Sequence, residues 1–160
     1  MANWNDVTTA APAIAKLAQD RIEATGLGYL ATIRKNGFPR VSGVEPSFIL
    51  GELWLGMMPE SLKAKDLHRD ARLCLHNANV DKMVAEGDVK ITGLGIEVED
   101  LQVKERLRAK VQEETGFDPG TEYHLFRVDV KELATIRPGG DHLVIESWRE
   151  GEAPKRVERR

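Results

Sequence analysis

The chain has 160 residues, of which 41% are hydrophobic and 31% charged, with a net charge of −3 and a pI near 5.9. That size suits one domain around one core, expected to run from 1 to 160, and the mild acidity argues against non-specific nucleic-acid binding, which needs a basic face. A lone cysteine, Cys74, excludes an internal disulfide, and no charged-then-apolar leader or apolar run of about 18 residues occurs, so a cytoplasmic protein without a membrane span is expected.

Residues 11–25 (APAIAKLAQDRIEAT) bring Ile14, Leu17, Ala18 and Ile22 to helical spacing, with Gly26 as a stop. Residues 1–10 ahead of this helix are expected to be flexible. From Gly28 the period changes to that of strands. GYLATIR reads as one strand, Asn36-Gly37 as a two-residue hairpin turn, and Pro39 to Leu50 as the return strand. On the return strand Arg40, Ser42 and Val44 share one face, with Val41, Gly43 and Glu45 on the other. Pro46 interrupts that run and predicts an edge or a bulge. ELWLGMM is a third strand.

The next stretch, MMPESLKAKDLHRD (57–70), predicts a helix of three turns at most, and its charges are unusual. Lys63 and Lys65 stand near its start, where the helix dipole makes each exposed cation cost about 0.3–1 kcal/mol. Glu60 offsets part of this, and an anion bound at the helix N-terminus would offset more. Two residues apart, the lysines point to nearly opposite sides, so at most one serves a single site. Lys63 lies on the side of Leu67, whereas Lys65 is expected to be solvated.

ARLCLHN follows as a strand, with Leu73 and Leu75 facing opposite Arg72, Cys74 and His76. GDVKITGLGIEVED is a long strand whose glycines suggest a bend or a close backbone approach. DLQVKERLRAKVQEETG is a second clear helix, with Leu107 and Val111 inward and Gly116 as its end. EYHLFRVDVKELATIR and DHLVIESW are strands separated by Pro138-Gly139-Gly140, and residues 150–160, closing in KRVERR, are expected to form a flexible basic tail. The order implies a mainly β, α+β fold built on an antiparallel sheet with enough strands for a small barrel.

The histidines, His68, His76, His124 and His142, show no metal-ligand spacing, so no metal site is expected. No nucleophile elbow or dinucleotide fingerprint occurs, and Cys74 reads as packing. The adjacent strands are expected to deliver Arg40, Ser42, Ser61 and Lys63 to one end of a sheet, a place suited to a phosphate.

The run GYLATIRKNGFPRVSGVEPSFILGELWLGMMPESLKAKDLHRDARLCLHN resembles the pyridoxamine 5′-phosphate oxidase-like, FMN-binding split β-barrel proteins. The matching pieces are the LATIRKNGFPRVS hairpin, the GELWL strand, and the S-x-K helix followed by RDARLCLHN. Later, EGDVKITGLGIEVED is similar to the family's dimer-facing strand and HLVIESWREG to the closing strand of its smaller members. The resemblance implies a homodimer of split barrels with flavin mononucleotide (FMN), or the deazaflavin F420, in a cleft between subunits. By position, Arg40, Val41 and Ser42 would line the cofactor, Met57 and Met58 would lie beside it, and Ser61 and Lys63 would hold its phosphate. His76 and Trp148 would approach the ring or the partner subunit.

Leu62 stands where true pyridoxamine 5′-phosphate oxidases resemble one another in carrying an arginine, and their arginine-rich closing segment is missing. The chain looks more like the small actinobacterial-type flavin or deazaflavin reductases, implying an oxidoreductase that acts on a small molecule. The alternative is a protein that stores or senses a flavin, haem or related ligand without turnover.

Overall fold

The computed structural model describes all residues from Met1 to Arg160. The N-terminal segment, expected to be flexible, begins with helix α1 (Trp4–Ala10). Asn3 caps it through a capping box, its side chain accepting from the Asp6 N–H while the Asp6 side chain accepts from the Asn3 N–H. Trp4 and Val7 are buried, and the Trp4 ring packs on Phe48 with centroids 4.7 Å apart. The start of the chain is tied down as well: the Ala2 N–H donates to Asp129 Oδ1 at 2.8 Å. Helix α2 (Pro12–Thr25) follows, with Pro12 in its first turn and Gly26 closing it in the left-handed region, and it buries Ile14, Ala15, Ala18 and Ile22.

The strands are β1 (Gly28–Ile33), β2 (Pro39–Val44), β3 (Pro46–Ile49), β4 (Glu52–Met57), β5 (Arg72–Asn77), β6 (Asp88–Glu97), β7 (His124–Pro138), β8 (Leu143–Arg149) and β9 (Lys155–Arg159). Two further helices, α3 (Leu62–Arg69) and α4 (Leu101–Thr115), are inserted between them. No helix is long and apolar enough to cross a membrane.

The β1–β2 hairpin forms, but its turn is longer than the two residues that Asn36-Gly37 suggests. The Arg34 carbonyl accepts from the Gly37 N–H at 2.8 Å, the Arg34 N–H donates to the Phe38 carbonyl at 2.9 Å, and Gly37 alone takes a positive φ, +84°. That is the three-residue loop with a bulge glycine, one of the standard ways to close a hairpin.

All pairings are antiparallel, in the order β2-β1-β5-β6-β7-β4-β3. The expected return strand is divided at Glu45, and its halves, β2 and β3, sit at opposite ends of that order. Because one residue joins them, the sheet curls until its two edges approach, as in a barrel. Strand β7 stands where the sheet divides. One stretch, His124–Arg127, pairs with β4, and a later stretch, Glu132–Pro138, pairs with β8. The closing segment KRVER, expected to be a mobile tail, is β9, paired along β8 from Lys155 to Arg159.

One row of side chains crosses the inner face in register: Ser42, Leu30, Leu75, Ile91, Leu133 and Trp148. From Leu30 to Trp148 all are buried, and they belong to the main core of 24 residues. Between Thr92 and Gly93 the β6–β7 register shifts by a bulge. A Cβ on Gly93 would lie 2.3 Å from the Asp129 carbonyl oxygen, so this approach needs glycine. A second, smaller core forms where Leu107 of α4 meets Trp54 and Leu125 on the outside of β4 and β7.

Candidate functional site

Helix α3 organises the polar residues. Its N-cap is Ser61, whose Oγ accepts from the Ala64 N–H at 3.4 Å, and the preceding Glu60 turns the chain with φ +62°. The helix buries Ala64, Asp66 and Leu67, so one face meets the barrel and that face contains a carboxylate.

Asp66 is 3% exposed, and three donors satisfy it. Thr32 Oγ1 and Arg40 Nε donate to Oδ2 at 2.8 and 2.7 Å, and Arg69 Nη2 donates to Oδ1 at 3.1 Å. Burial alone pushes this carboxyl up, but the hydrogen bonds from Arg40, Thr32 and Arg69 outweigh it and hold the group below its ordinary range. Arg69 also donates to the Ile33 carbonyl, closing α3 against the end of β1.

Above this buried carboxylate opens a cleft of about 550 Å³ with five cations on its walls: Arg34, Lys35, Arg40, Lys65 and Arg69. Asp66 is the carboxylate on its lining and is already engaged by two of the arginines. The lining runs along one face of α3, from Leu62 to Arg69, against the β1–β2 hairpin, and this concentration of positive charge suits an anion.

The anticipated residues fall into distinct places. Arg40 and Ser42 are half-buried on the inner side of β2, and Arg40 lines the cleft. Lys63 reaches back to β2, where its Nζ donates to the Gly43 carbonyl at 3.0 Å. Of the four residues expected to converge, Arg40 alone lines the cleft; Lys63 touches β2 through the Gly43 carbonyl, and Ser42 and Ser61 are not on the lining. Lys65, expected to be solvated, is exposed and paired with Glu60 at 2.7 Å, yet it is the lysine of this helix that lines the cleft.

Val41 and His76 face the other way. Val41 is 68% exposed on the outer side of β2, with Tyr29 half-exposed beside it on β1 and Phe38 exposed at the hairpin. On that outer side His76 lies opposite Tyr29, with Nδ1 2.7 Å from the Asn77 carbonyl. Met57 and Met58 separate: Met57 is buried in the main core and Met58 projects outward. Trp148, expected near a ring or a partner, is buried in the main core with its indole N–H unpaired. Alternation along β4 turns Met57 inward, and the register with Leu133 does the same for Trp148.

The other flank of α3 holds a group not visible in the spacing of the sequence. Glu97 Oε2 lies 2.5 Å from His68 Nε2, and Glu97 Oε1 lies 2.7 Å from His124 Nδ1. The residues come from α3, the end of β6 and the start of β7. Nothing in their separation along the chain announces the meeting, because it depends on β6–β7 pairing and on the docking of α3.

No protein-family model matches the sequence, and no curated protein matches it. Solved structures do. A conserved hypothetical protein of Mycobacterium tuberculosis superimposes with a TM-score of 0.64 at 23% identity, covering 76% of this chain and 82% of that one. A pyridoxinephosphate oxidase family protein of Clostridium acetobutylicum, related to general stress protein 26, gives 0.62 at 14% identity, covering 82% and 90%. HutZ, the haem storage protein of Vibrio cholerae, gives 0.59 at 18% identity, covering 76% and 90%. At these identities the likeness concerns the fold alone. The chain has the pyridoxamine 5′-phosphate oxidase-like split β-barrel fold.

Proposed function

We propose that the protein binds an anionic flavin-type cofactor, FMN or the deazaflavin F420, and acts as an oxidoreductase on a small molecule. The observation that carries this reading is the cationic cleft between α3 and the β1–β2 hairpin, with Arg40 clamped on Asp66 at its base. Arg40 would hold the phosphate from within the cleft; Ser61 and Lys63, with Ser42 beside them, stand outside its lining and would join only if Lys63 releases the Gly43 carbonyl. F420 carries a longer acidic tail than FMN and would engage more of the surrounding cations, Arg34, Lys35, Lys65 and Arg69 among them.

When bound, such a cofactor supplies hydride chemistry. The chain's own contribution is binding and orientation. Asp66 keeps the Arg40 guanidinium in one position, so little side-chain freedom remains to be lost when an anion arrives. Val41 and Tyr29 offer an exposed apolar surface on the outside of the hairpin, suited to a planar ring and to a second copy of the chain. A homodimer that closes over this surface would place Val41 at the subunit interface, while Arg40 stays on the opposite, inner face of β2.

A second reading, haem or flavin storage without turnover, is favoured by His76, a half-exposed imidazole on that outer surface, and by the fold shared with HutZ. Titration of the protein with FMN and with F420, followed by absorbance and fluorescence, tests binding. Substrate reduction by the reduced cofactor then separates enzyme from store. Lys63→Ala is expected to weaken binding by about 1.5–3 kcal/mol through loss of a charge-assisted contact. Unchanged affinity would remove Lys63 from the site, and a stable monomer with full affinity would remove the shared cleft.

A further inference from the structure

We propose that His68, Glu97 and His124 form a binding site for a divalent transition-metal ion of the zinc class, separate from the cationic cleft. The potential ligand atoms of these residues all lie within 4.8 Å of one another. They are imidazole nitrogens and a carboxylate oxygen, a donor set that suits zinc and its first-row neighbours rather than calcium or magnesium.

The backbone explains the convergence. Glu97 is the cross-strand partner of Phe126, and His124 stands two residues before Phe126 on β7, so all three side chains share one face. Helix α3 crosses that face and adds His68. The rings of His68 and His124 meet edge to face, with centroids 5.1 Å apart and planes at 76°. The buried Phe126 ring lies 5.6 Å from that of His68, giving the site an apolar floor.

Without metal, Glu97 is shared by both imidazoles, with N···O separations of 2.5 and 2.7 Å. Tetrahedral zinc, with bonds of about 2.0–2.2 Å, holds neighbouring ligand atoms about 3.3 Å apart. Metal entry therefore replaces the two hydrogen bonds and widens each N···O separation by less than an ångström, while the two imidazole nitrogens, within 4.8 Å of one another, converge on the ion. The side chains can accommodate this: they are 40%, 23% and 27% exposed for His68, Glu97 and His124. That exposure also leaves an open coordination position for water or a small ligand, as in zinc sites with three protein ligands.

The test uses the full-length, untagged protein after chelator treatment, titrated with Zn²⁺ in a calorimeter and with Co²⁺ in a spectrophotometer. One ion per chain, a rise in Tm and Co²⁺ d–d bands typical of four or five ligands are expected. His68→Ala, chosen because that side chain is the most exposed of the three, and His124→Ala should each weaken Zn²⁺ binding at least tenfold and abolish the Co²⁺ bands. His76→Ala should leave both unchanged. Absence of Zn²⁺ binding, or equal affinity in wild type and His68→Ala, would overturn the site. FMN or F420 titration reads the other flank, so failure of either proposal is seen without the other.

Discussion

The two flanks of α3 solve the same problem with opposite means. On one side Asp66 is buried and engaged by two guanidinium groups and a hydroxyl; on the other, Glu97 is partly exposed and engaged by two imidazoles. Arginine stays protonated throughout the accessible pH range, so the first flank is permanently assembled and its spare charge is available to an anion. Imidazole can change its charge or take a metal, so the second flank can be rearranged by conditions. A carboxylate therefore acts as a fixed brace or as an exchangeable ligand according to burial and partner chemistry.

The largest effect is expected from breaking the brace. Asp66→Ala leaves Arg40, Arg69 and Thr32 without their shared acceptor, and a loss of about 3–5 kcal/mol is expected, read from urea denaturation at unchanged m-value. A loss no greater than that of a surface substitution would dissolve the distinction between the flanks. The same residue carries a pH signature. Its carboxyl is held below the ordinary value of about 3.9, so its stabilisation is complete above that pH and disappears as pH falls through the lower folded value. Asp66→Asn should accordingly flatten the acid limb of the stability profile; an unchanged limb would assign acid sensitivity to other carboxylates.

A smaller cost, about 0.5–1.5 kcal/mol in metal-free buffer, is expected for Glu97→Gln, because an amide still accepts from one imidazole and the site is partly solvated. A cost equal to that of Asp66→Ala would make the second flank a brace as well. The smallest effect belongs to Lys65 and Glu60, whose exposed side chains should show little coupling in a double-mutant cycle. A larger coupling would mean that Lys65 is committed to Glu60 rather than available to the cleft.

Most strands and three of the helices could be read from the sequence because each has a buried side and therefore a period. Where period is absent, the sequence is silent. All residues of β9 are exposed, so only its pairing with β8 makes it a strand. Helix α1 spans seven residues, and its legible signal is the Asn3-to-Asp6 capping box rather than a stripe. The division at Glu45 was marked by Pro46, although the consequence, two halves on opposite ends of a curled sheet, depends on pairings distant in the chain.

At the site, Arg40 stands out locally as a polar residue on an inward face. Its partner Asp66 lies 26 residues away and becomes relevant only when α3 docks. Helix geometry separates Lys63 from Lys65, but it does not specify that Lys63 is held by a β2 carbonyl while Lys65 reaches the cleft. His68, Glu97 and His124 converge for reasons of topology alone.

The most direct test of the central claim is equilibrium titration of the purified wild-type protein with FMN and, separately, with F420, at low and high salt. The proposed cleft predicts saturable binding of at least one of them, one per chain, weakened by salt because cations line it. Failure of both to bind would contradict a flavin-type cofactor site.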